Sequence, residues 1–150
     1  TLAGQMLGAG NPAGAKRAIA LCGVLGAFVM GACGLGFILF GEALTLVISR
    51  EPVHLAYTPI LLVLGGAVQV SFGLAMVLRQ GMAGAGDTRT PMRITYASTY
   101  LIRLPAVYVC GVWLEGGLLG VWVALCGELV VRGFLFVLAF RHGAWARVRV

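Results

Sequence analysis

The sequence predicts an all-α protein integral to a membrane, built as a glycine-rich bundle of four transmembrane helices. Of its 150 residues, 60% are hydrophobic and only 11% are charged, whereas about 25% of the residues in a soluble domain are charged. Two runs, 18–41 and 55–78, contain no charged residue, and each exceeds the roughly 20 residues that a helix needs to cross a bilayer. No stretch alternates in polarity as a transmembrane β-strand does, so we predict helical spans.

The first span is predicted at about 15–40 and the second at about 58–81. A ridge of small residues on the first span would let a neighbouring helix approach closely in lipid; it comprises Gly23, Ala27, Gly31, Gly34 and Gly36. Between the spans, the outer loop 42–57 is predicted to contain a short interfacial helix that stops at Pro52. In the middle of the second span, Gln69 should either bond to another helix or face a wet cavity, because an amide is costly in lipid.

The third span is predicted at about 91–113. Thr95, Thr99 and Arg103 follow one another at four-residue steps, which predicts one polar stripe from the end of the helix to mid-membrane. Pro105 removes one backbone hydrogen bond and predicts a kink just beyond Arg103.

The fourth span, at about 117–140, contains Glu128 and Arg132. The third and fourth spans run in opposite directions, so Arg103 and Glu128 should lie at similar depth and can pair across the helices. Arg132, four residues after Glu128, is a second candidate partner. A charge at the bilayer centre costs at least about 2.5 kcal/mol. Two roles remain open for these residues: an ion pair that locks the two helices, or part of a transport pathway.

Two turns share one pattern of residues. The first holds Gly8, Gly10 and Asn11, and the same order returns as Gly84-Ala85-Gly86-Asp87-Thr88 before the third span. Glycine permits a tight turn, and Asn11 and Asp87 are natural N-caps for the helices that follow. We predict a structural role for both turns and a repeating unit of turn and helical hairpin.

The basic residues predict the orientation in the membrane. If loops 1–17, 79–93 and 141–150 lie on one side of the membrane, the loops of the other side contain only one basic residue, Arg50. The first side then has eight basic residues: Lys16, Arg17, Arg79, Arg89, Arg93, Arg141, Arg147 and Arg149. The positive-inside rule then places both ends in the cytoplasm and the protein in the cytoplasmic (plasma) membrane. These residues do not cluster on a soluble face with interleaved aromatics, so no nucleic-acid partner is predicted.

The sequence does not predict an enzyme. It contains no Ser/His/Asp set, no HExxH motif and no paired aspartates. The cysteines and histidines do not have the spacing of metal ligands, so we predict no metal site and no cofactor.

Several segments carry a resemblance to a known family. Residues 84–92 resemble the turn of the multidrug and toxic compound extrusion (MATE) family, and Arg103-Leu104-Pro105 is similar to its arginine and proline pattern. Further segments resemble the earlier loop and the last helix of the family: Gln5-Met6-Leu7-Gly8-Ala9-Gly10-Asn11, Ala15-Lys16-Arg17-Ala18, Gly120-Val121-Trp122 and Glu128.

The resemblance implies a twelve-helix, two-lobed antiporter of which this chain is the last four helices of the C-terminal lobe. Such a protein exports organic, often cationic, compounds in exchange for sodium ions or protons, and its partners are the bilayer, its remaining helices and small organic substrates. Residues 69–73 carry no carboxylate, whereas some family members bind sodium there, so the resemblance implies a coupling-ion site outside this chain. A lipid-linked sugar flippase of the same wider superfamily and a non-transporting membrane scaffold are the alternatives.

Within this chain, six residues are candidates for the substrate or ion pathway: Gln69, Thr95, Thr99, Arg103, Glu128 and Arg132.

Overall fold

The computed structural model describes residues 2–143 and 145, and within them it contains helices and no strand. The chain begins with α1 (Leu2–Gly8), α2 (Pro12–Ile48) and α3 (Pro52–Gly84). The helical region 89–113, called the segmented helix below, consists of α4 (Arg89–Ala97), a first π-helical segment (Ser98–Arg103), α5 (Leu104–Tyr108) and a second π-helical segment (Val109–Trp113). The last helix is α6 (Gly117–His142).

The helices present an apolar exterior, as the membrane prediction requires. In the described part of the chain, α2, α3 and α6 are long and apolar enough to cross a membrane. Large apolar side chains point outward, and those of Phe28 and Trp113 are 76% and 75% exposed. The all-α membrane fold is therefore confirmed. The third predicted span, here called the segmented helix, is helical throughout but divided into short pieces, so it does not count as one membrane-length helix.

The short helix predicted within 42–57 is present in part, as the stretch up to Ile48 that follows a kink at Phe40, but its predicted stop at Pro52 is wrong. Helix α2 continues beyond a break at Phe40 (φ −117°, ψ 17°) to Ile48, and only residues 49–51 separate it from α3. Pro52 opens α3 instead of stopping a helix. Proline is tolerated in the first turn because the N–H that it lacks would have no backbone acceptor there. The part of α2 before the kink, residues 12–39, is about 42 Å long, so it already exceeds a hydrocarbon core of about 30 Å.

Glycines bring α2 and α3 into direct backbone contact. A Cβ added to Gly66 would lie 2.6 Å from the carbonyl oxygen of Gly34, and one added to Gly34 would collide with the carbonyl oxygen of Gly66. Gly23 and Gly31 of the predicted ridge also lie against side chains of α3. A Cβ added to Gly36 would have no atom of a described neighbouring residue within 4 Å, so the prediction that Gly36 is part of the packing ridge is wrong. The remaining ridge packs as small residues do in lipid.

Helix α6 also packs against α3, through a serine and a glycine. Ser71 Oγ donates a hydrogen bond to the carbonyl oxygen of Leu129 at 3.2 Å. Gly133, one turn further along α6, lies directly against Ser71 and has no room for a Cβ. Helix α3 therefore contacts both α2 and α6.

The buried apolar core is concentrated at the end of the bundle that carries the two turns. Its members come from the first three helices, the second turn and the C-terminal end of the described chain: Ala3, Ala15, Ile19, Ala75, Leu78, Met82, Ala85, Phe136, Phe140 and Trp145. The Trp145 ring stacks on Phe140, with 5.3 Å between ring centroids. The two turns and the end of α6 thus lie together, while the side of the membrane they face stays a prediction. Arg147 and Arg149, which entered the orientation argument, lie outside the described residues.

The two turns close the helices before them with the same hydrogen bonds. Gly10 and Gly86 adopt left-handed backbone angles, with φ of 72° and 94°. In each turn the glycine N–H donates to the carbonyl three residues back, and the N–H of Asn11 or Asp87 donates to the carbonyl five residues back, at 2.9–3.1 Å. This is the Schellman arrangement, which satisfies the last carbonyls of a helix.

The side chain of the residue after each of these glycines also accepts a hydrogen bond from the first turn of the next helix. Asn11 Oδ1 accepts a hydrogen bond from the N–H of Gly14 at 2.8 Å, and Asp87 Oδ1 accepts one from the N–H of Thr90 at 3.0 Å. The predicted repeat of the two capped turns is therefore confirmed. The two copies differ in their surroundings, because Asn11 is exposed whereas Asp87 is buried.

Candidate functional site

A buried cluster of polar side chains joins α6 to the segmented helix. Arg132 Nε lies 2.7 Å from Glu128 Oε1, one turn away on the same helix. The Ser98 hydroxyl of the first π segment donates to that same carboxylate oxygen. Arg132 also donates to Ser98 Oγ at 3.0 Å and to Thr99 Oγ1 at 3.1 Å. Glu128 is only 2% exposed, so this ion pair lies in the interior of the bundle.

The predicted pairing of Arg103 with Glu128 is wrong, and the second candidate, Arg132, is the partner. A residue four positions along the same helix reaches the carboxylate without depending on how two helices are registered. Sequence reasoning also missed Ser98. The signal was present, since Ser98 follows Thr95 by three residues and therefore shares its side of the helix.

The cluster does not use all of its hydrogen-bonding capacity. Glu128 Oε2 and Thr95 Oγ1 are buried and lack a hydrogen-bond partner among residues 2–143 and 145. Buried polar atoms are usually paired, so these two oxygens are exceptions in the described part of the chain. The ion pair itself is complete, and its geometry is that of a lock between α6 and the segmented helix.

The predicted polar stripe on the third span is divided between two surfaces. Thr95 and Thr99 line a groove of 410 Å³ together with Tyr96 and Tyr100, whose ring centroids are 4.3 Å apart. Arg103 lies outside this groove and faces a different cavity. The groove reaches the second turn, where the exposed Thr88 forms part of its wall.

The first π segment explains why the stripe divides. The N–H of Leu104 donates to the carbonyl of Thr99, five residues back. A π turn holds more residues than an α turn, so a four-residue step within it no longer returns to the same side. The kink predicted at Pro105 takes the form of two widened segments, one on each side of α5.

Arg103 and Gln69 share a cavity of 310 Å³ between α3, the segmented helix and α6. Phe72 and Trp122 form part of its wall. The Trp122 indole N–H donates to the carbonyl oxygen of Leu61 at 3.0 Å, which fixes the ring against α3. Of the two outcomes considered for Gln69, the structure therefore has the residue facing a cavity.

The Arg103 guanidinium has no acidic partner in the described part of the chain. All five Asp and Glu residues lie there, and the salt bridge between Arg132 and Glu128 is the one that this part contains. The six candidates thus lie in three places: the cluster around Glu128 and Arg132, the groove lined by Thr95 and Thr99, and the cavity of Arg103 and Gln69. Thr99 belongs to the first two, because it also accepts a hydrogen bond from Arg132.

Comparison with known proteins gives one family and several curated relatives. The MatE family model matches residues 1–109. A protein of Thermotoga maritima named "Probable multidrug resistance protein NorM" is 27% identical over 149 residues, covering 98% of this chain and 32% of the relative. A protein of the same name from Bradyrhizobium diazoefficiens is 27% identical over 92% of this chain and 30% of the relative. The "Uncharacterized transporter YisQ" of Bacillus subtilis is 24% identical over 71% of this chain and 24% of the relative. The chain spans about a third or less of the length of these relatives.

Proposed function

Because the chain belongs to the MatE (multidrug and toxic compound extrusion) family, we propose that it is part of a secondary active efflux transporter. The transporter exports organic, often cationic, compounds in exchange for sodium ions or protons. This chain supplies the last four helices of a C-terminal lobe, with both ends of the chain in the cytoplasm. The coupling-ion site lies on helices outside this chain. We propose no enzymatic role.

The observation that carries the proposal is the cavity of Arg103 and Gln69 in the middle of an apolar bundle. Gln69 lies about 22 Å along α3 from its end at Gly84, and Arg103 about 21 Å along the segmented helix from Arg89. Both are thus near the bilayer centre, where an ionised or amide side chain is costly and usually serves a substrate or ion pathway. Secondary transporters bind their substrates at this depth, beside interrupted helices.

The flippase alternative receives less support from the same residues. A lipid-linked sugar carries phosphate, and its pathway needs several cations that are free to bind it. Arg132 is occupied by Glu128, which leaves Arg103 as the candidate within the membrane-spanning part of this chain. A passive scaffold would not need a charged cavity at mid-depth.

The test is dye transport by the full-length protein in sealed vesicles. A fluorescent organic cation is loaded, and its movement is followed under a sodium gradient, under a proton gradient and with neither. We expect transport that depends on at least one gradient and stops when an ionophore collapses it. Protein-free vesicles give the background rate. A rate of dye movement that is the same with either gradient as with neither would argue against an antiporter.

A further inference from the structure

We propose that the cavity of Arg103 and Gln69 is an anion subsite that binds a carboxylate on an organic ligand. The other charged site in the interior, the ion pair of Glu128 and Arg132, is already neutral. The proposal rests on the proposed transport function only where it treats that ligand as cargo; the binding itself stands on the cavity.

The first step of the argument is charge. An arginine side chain stays protonated at any physiological pH, so the half-buried Arg103 brings a full positive charge to the cavity wall of an apolar bundle. None of the five acidic side chains of the chain forms a salt bridge with it. A lone cation at this depth is expensive unless an anion or a water-filled space accompanies it. The 310 Å³ cavity provides the space for such an anion.

The second step is that Glu128 is not available to neutralise Arg103. Its Oε1 is held by Arg132 at 2.7 Å and by the Ser98 hydroxyl. Its other carboxylate oxygen, Oε2, has no hydrogen-bond partner among the described residues and so does not contact Arg103. The Arg103 charge is therefore left for a ligand.

The third step is the match between the cavity and a carboxylate. The guanidinium presents paired N–H donors that fit the two oxygens of a carboxylate, and the Gln69 amide adds further donors and an acceptor. One guanidinium balances the single charge of a carboxylate and not the larger charge of a phosphate. Phe72 and the fixed Trp122 ring supply apolar walls for an aromatic group attached to it.

The size of the cavity limits what it holds. Small-molecule sites range over about 300–1,000 Å³, so 310 Å³ is at the lower end of that range. The cavity suits the acidic substituent of a compound and its immediate neighbours, while the rest of the compound extends beyond it.

The test compares two rhodamine dyes that differ in one group: one has a free carboxylate, and the other has the same carboxylate as its ethyl ester. Binding of each to the purified full-length protein is measured by fluorescence polarisation. We expect the native protein to bind the acid at least about tenfold more tightly than the ester, as the loss of a charged hydrogen bond predicts. Arg103→Gln should remove this preference and leave the affinity for the ester within about twofold.

Two further variants sharpen the test. Arg103→Lys keeps the charge but loses the forked donors, so it should retain only part of the preference. Arg50→Gln removes an exposed arginine at the opposite end of the bundle from the turns and should change neither affinity. If Arg103→Gln fails to fold, the Gln69→Leu variant takes its place in the test. Its affinities for the acid and the ester are compared with those of the native protein, and Gln69→Leu should weaken the preference for the acid.

Equal affinity of the native protein for acid and ester would overturn the subsite. The subsite would also be overturned if a folded Arg103→Gln variant lost affinity for both dyes equally. That result is expected if an acidic residue on another helix neutralises Arg103. These outcomes are separate from the failure of the transport proposal. A protein that prefers the acid through Arg103 but moves no dye loses the antiporter function and keeps the subsite.

Discussion

Arg132 Nε and Glu128 Oε1 lie 2.7 Å apart on successive turns of α6, inside the bundle. The pair is formed within one helix, but it joins two, because Ser98 donates to the carboxylate and Arg132 donates to Thr99 across the interface. The segmented helix is thus held to α6 by hydrogen bonds to a charge pair that is already neutral.

Replacing Glu128 by alanine should destabilise the full-length protein by about 3–5 kcal/mol, since it leaves the Arg132 charge buried without a partner. The measurement is the free energy of unfolding, or the melting temperature, of the purified protein in detergent. Removing both charges in a Glu128→Ala, Arg132→Ala double variant should restore part of the loss. Glu51→Ala, at an exposed loop position, is the matched control. A double variant less stable than either single variant would contradict the account.

The glycine pair between α2 and α3 gives a second prediction. Gly66→Ala should lower the free energy of unfolding by about 1–3 kcal/mol, because its Cβ would press on the carbonyl oxygen of Gly34. The matched control is Gly65→Ala at the neighbouring position, where the added Cβ would have no atom of a described neighbouring residue within 4 Å. It should be neutral, or stabilising by up to about 1 kcal/mol through helix propensity. Similar melting temperatures for the two variants would show that the helices do not meet at Gly34 and Gly66.

The second turn gives a third prediction. Asp87→Ala removes the acceptor for the N–H of Thr90, and the loss of such a cap costs about 0.5–2 kcal/mol. We expect a lower yield of folded protein and an unchanged order of preference among transported dyes. Asp87→Asn keeps an acceptor and should lose less. An altered dye preference at normal yield would refute a purely structural role for this turn.

The orientation gives a fourth prediction. In a background without the four native cysteines, Ala9→Cys lies in the first turn and Ser49→Cys lies between α2 and α3, at the opposite end. A maleimide that cannot cross membranes should label Ser49→Cys in intact cells and Ala9→Cys only after permeabilisation, because the cationic loops stay in the cytoplasm. The reverse labelling pattern would invert the orientation.

The parts of the fold that the sequence predicts correctly depend on local signals. The charge-free run 55–78 marks a spanning helix by its length alone. The turns at Gly10 and Gly86 are also local, since glycine followed by Asn or Asp both ends one helix and begins the next.

The candidate site was less predictable because it depends on contacts between helices. The period of 3.6 residues placed Thr95, Thr99 and Arg103 on one stripe, and the first π segment separated Arg103 from the other two. Equal depth suggested that Arg103 meets Glu128, yet depth does not fix which way a side chain points around the helix axis. Pro52 was misread because proline is compatible with both the end and the start of a helix.

The two capped turns have a consequence for the order in which the bundle assembles. Every hydrogen bond in each turn spans five residues or fewer, so each turn can close on the time scale of short loops, well before distant helices meet. The direction of each following helix would then be set as the chain leaves the ribosome. The glycine contacts and the buried ion pair would then only have to bring together helices whose directions at each turn are already fixed.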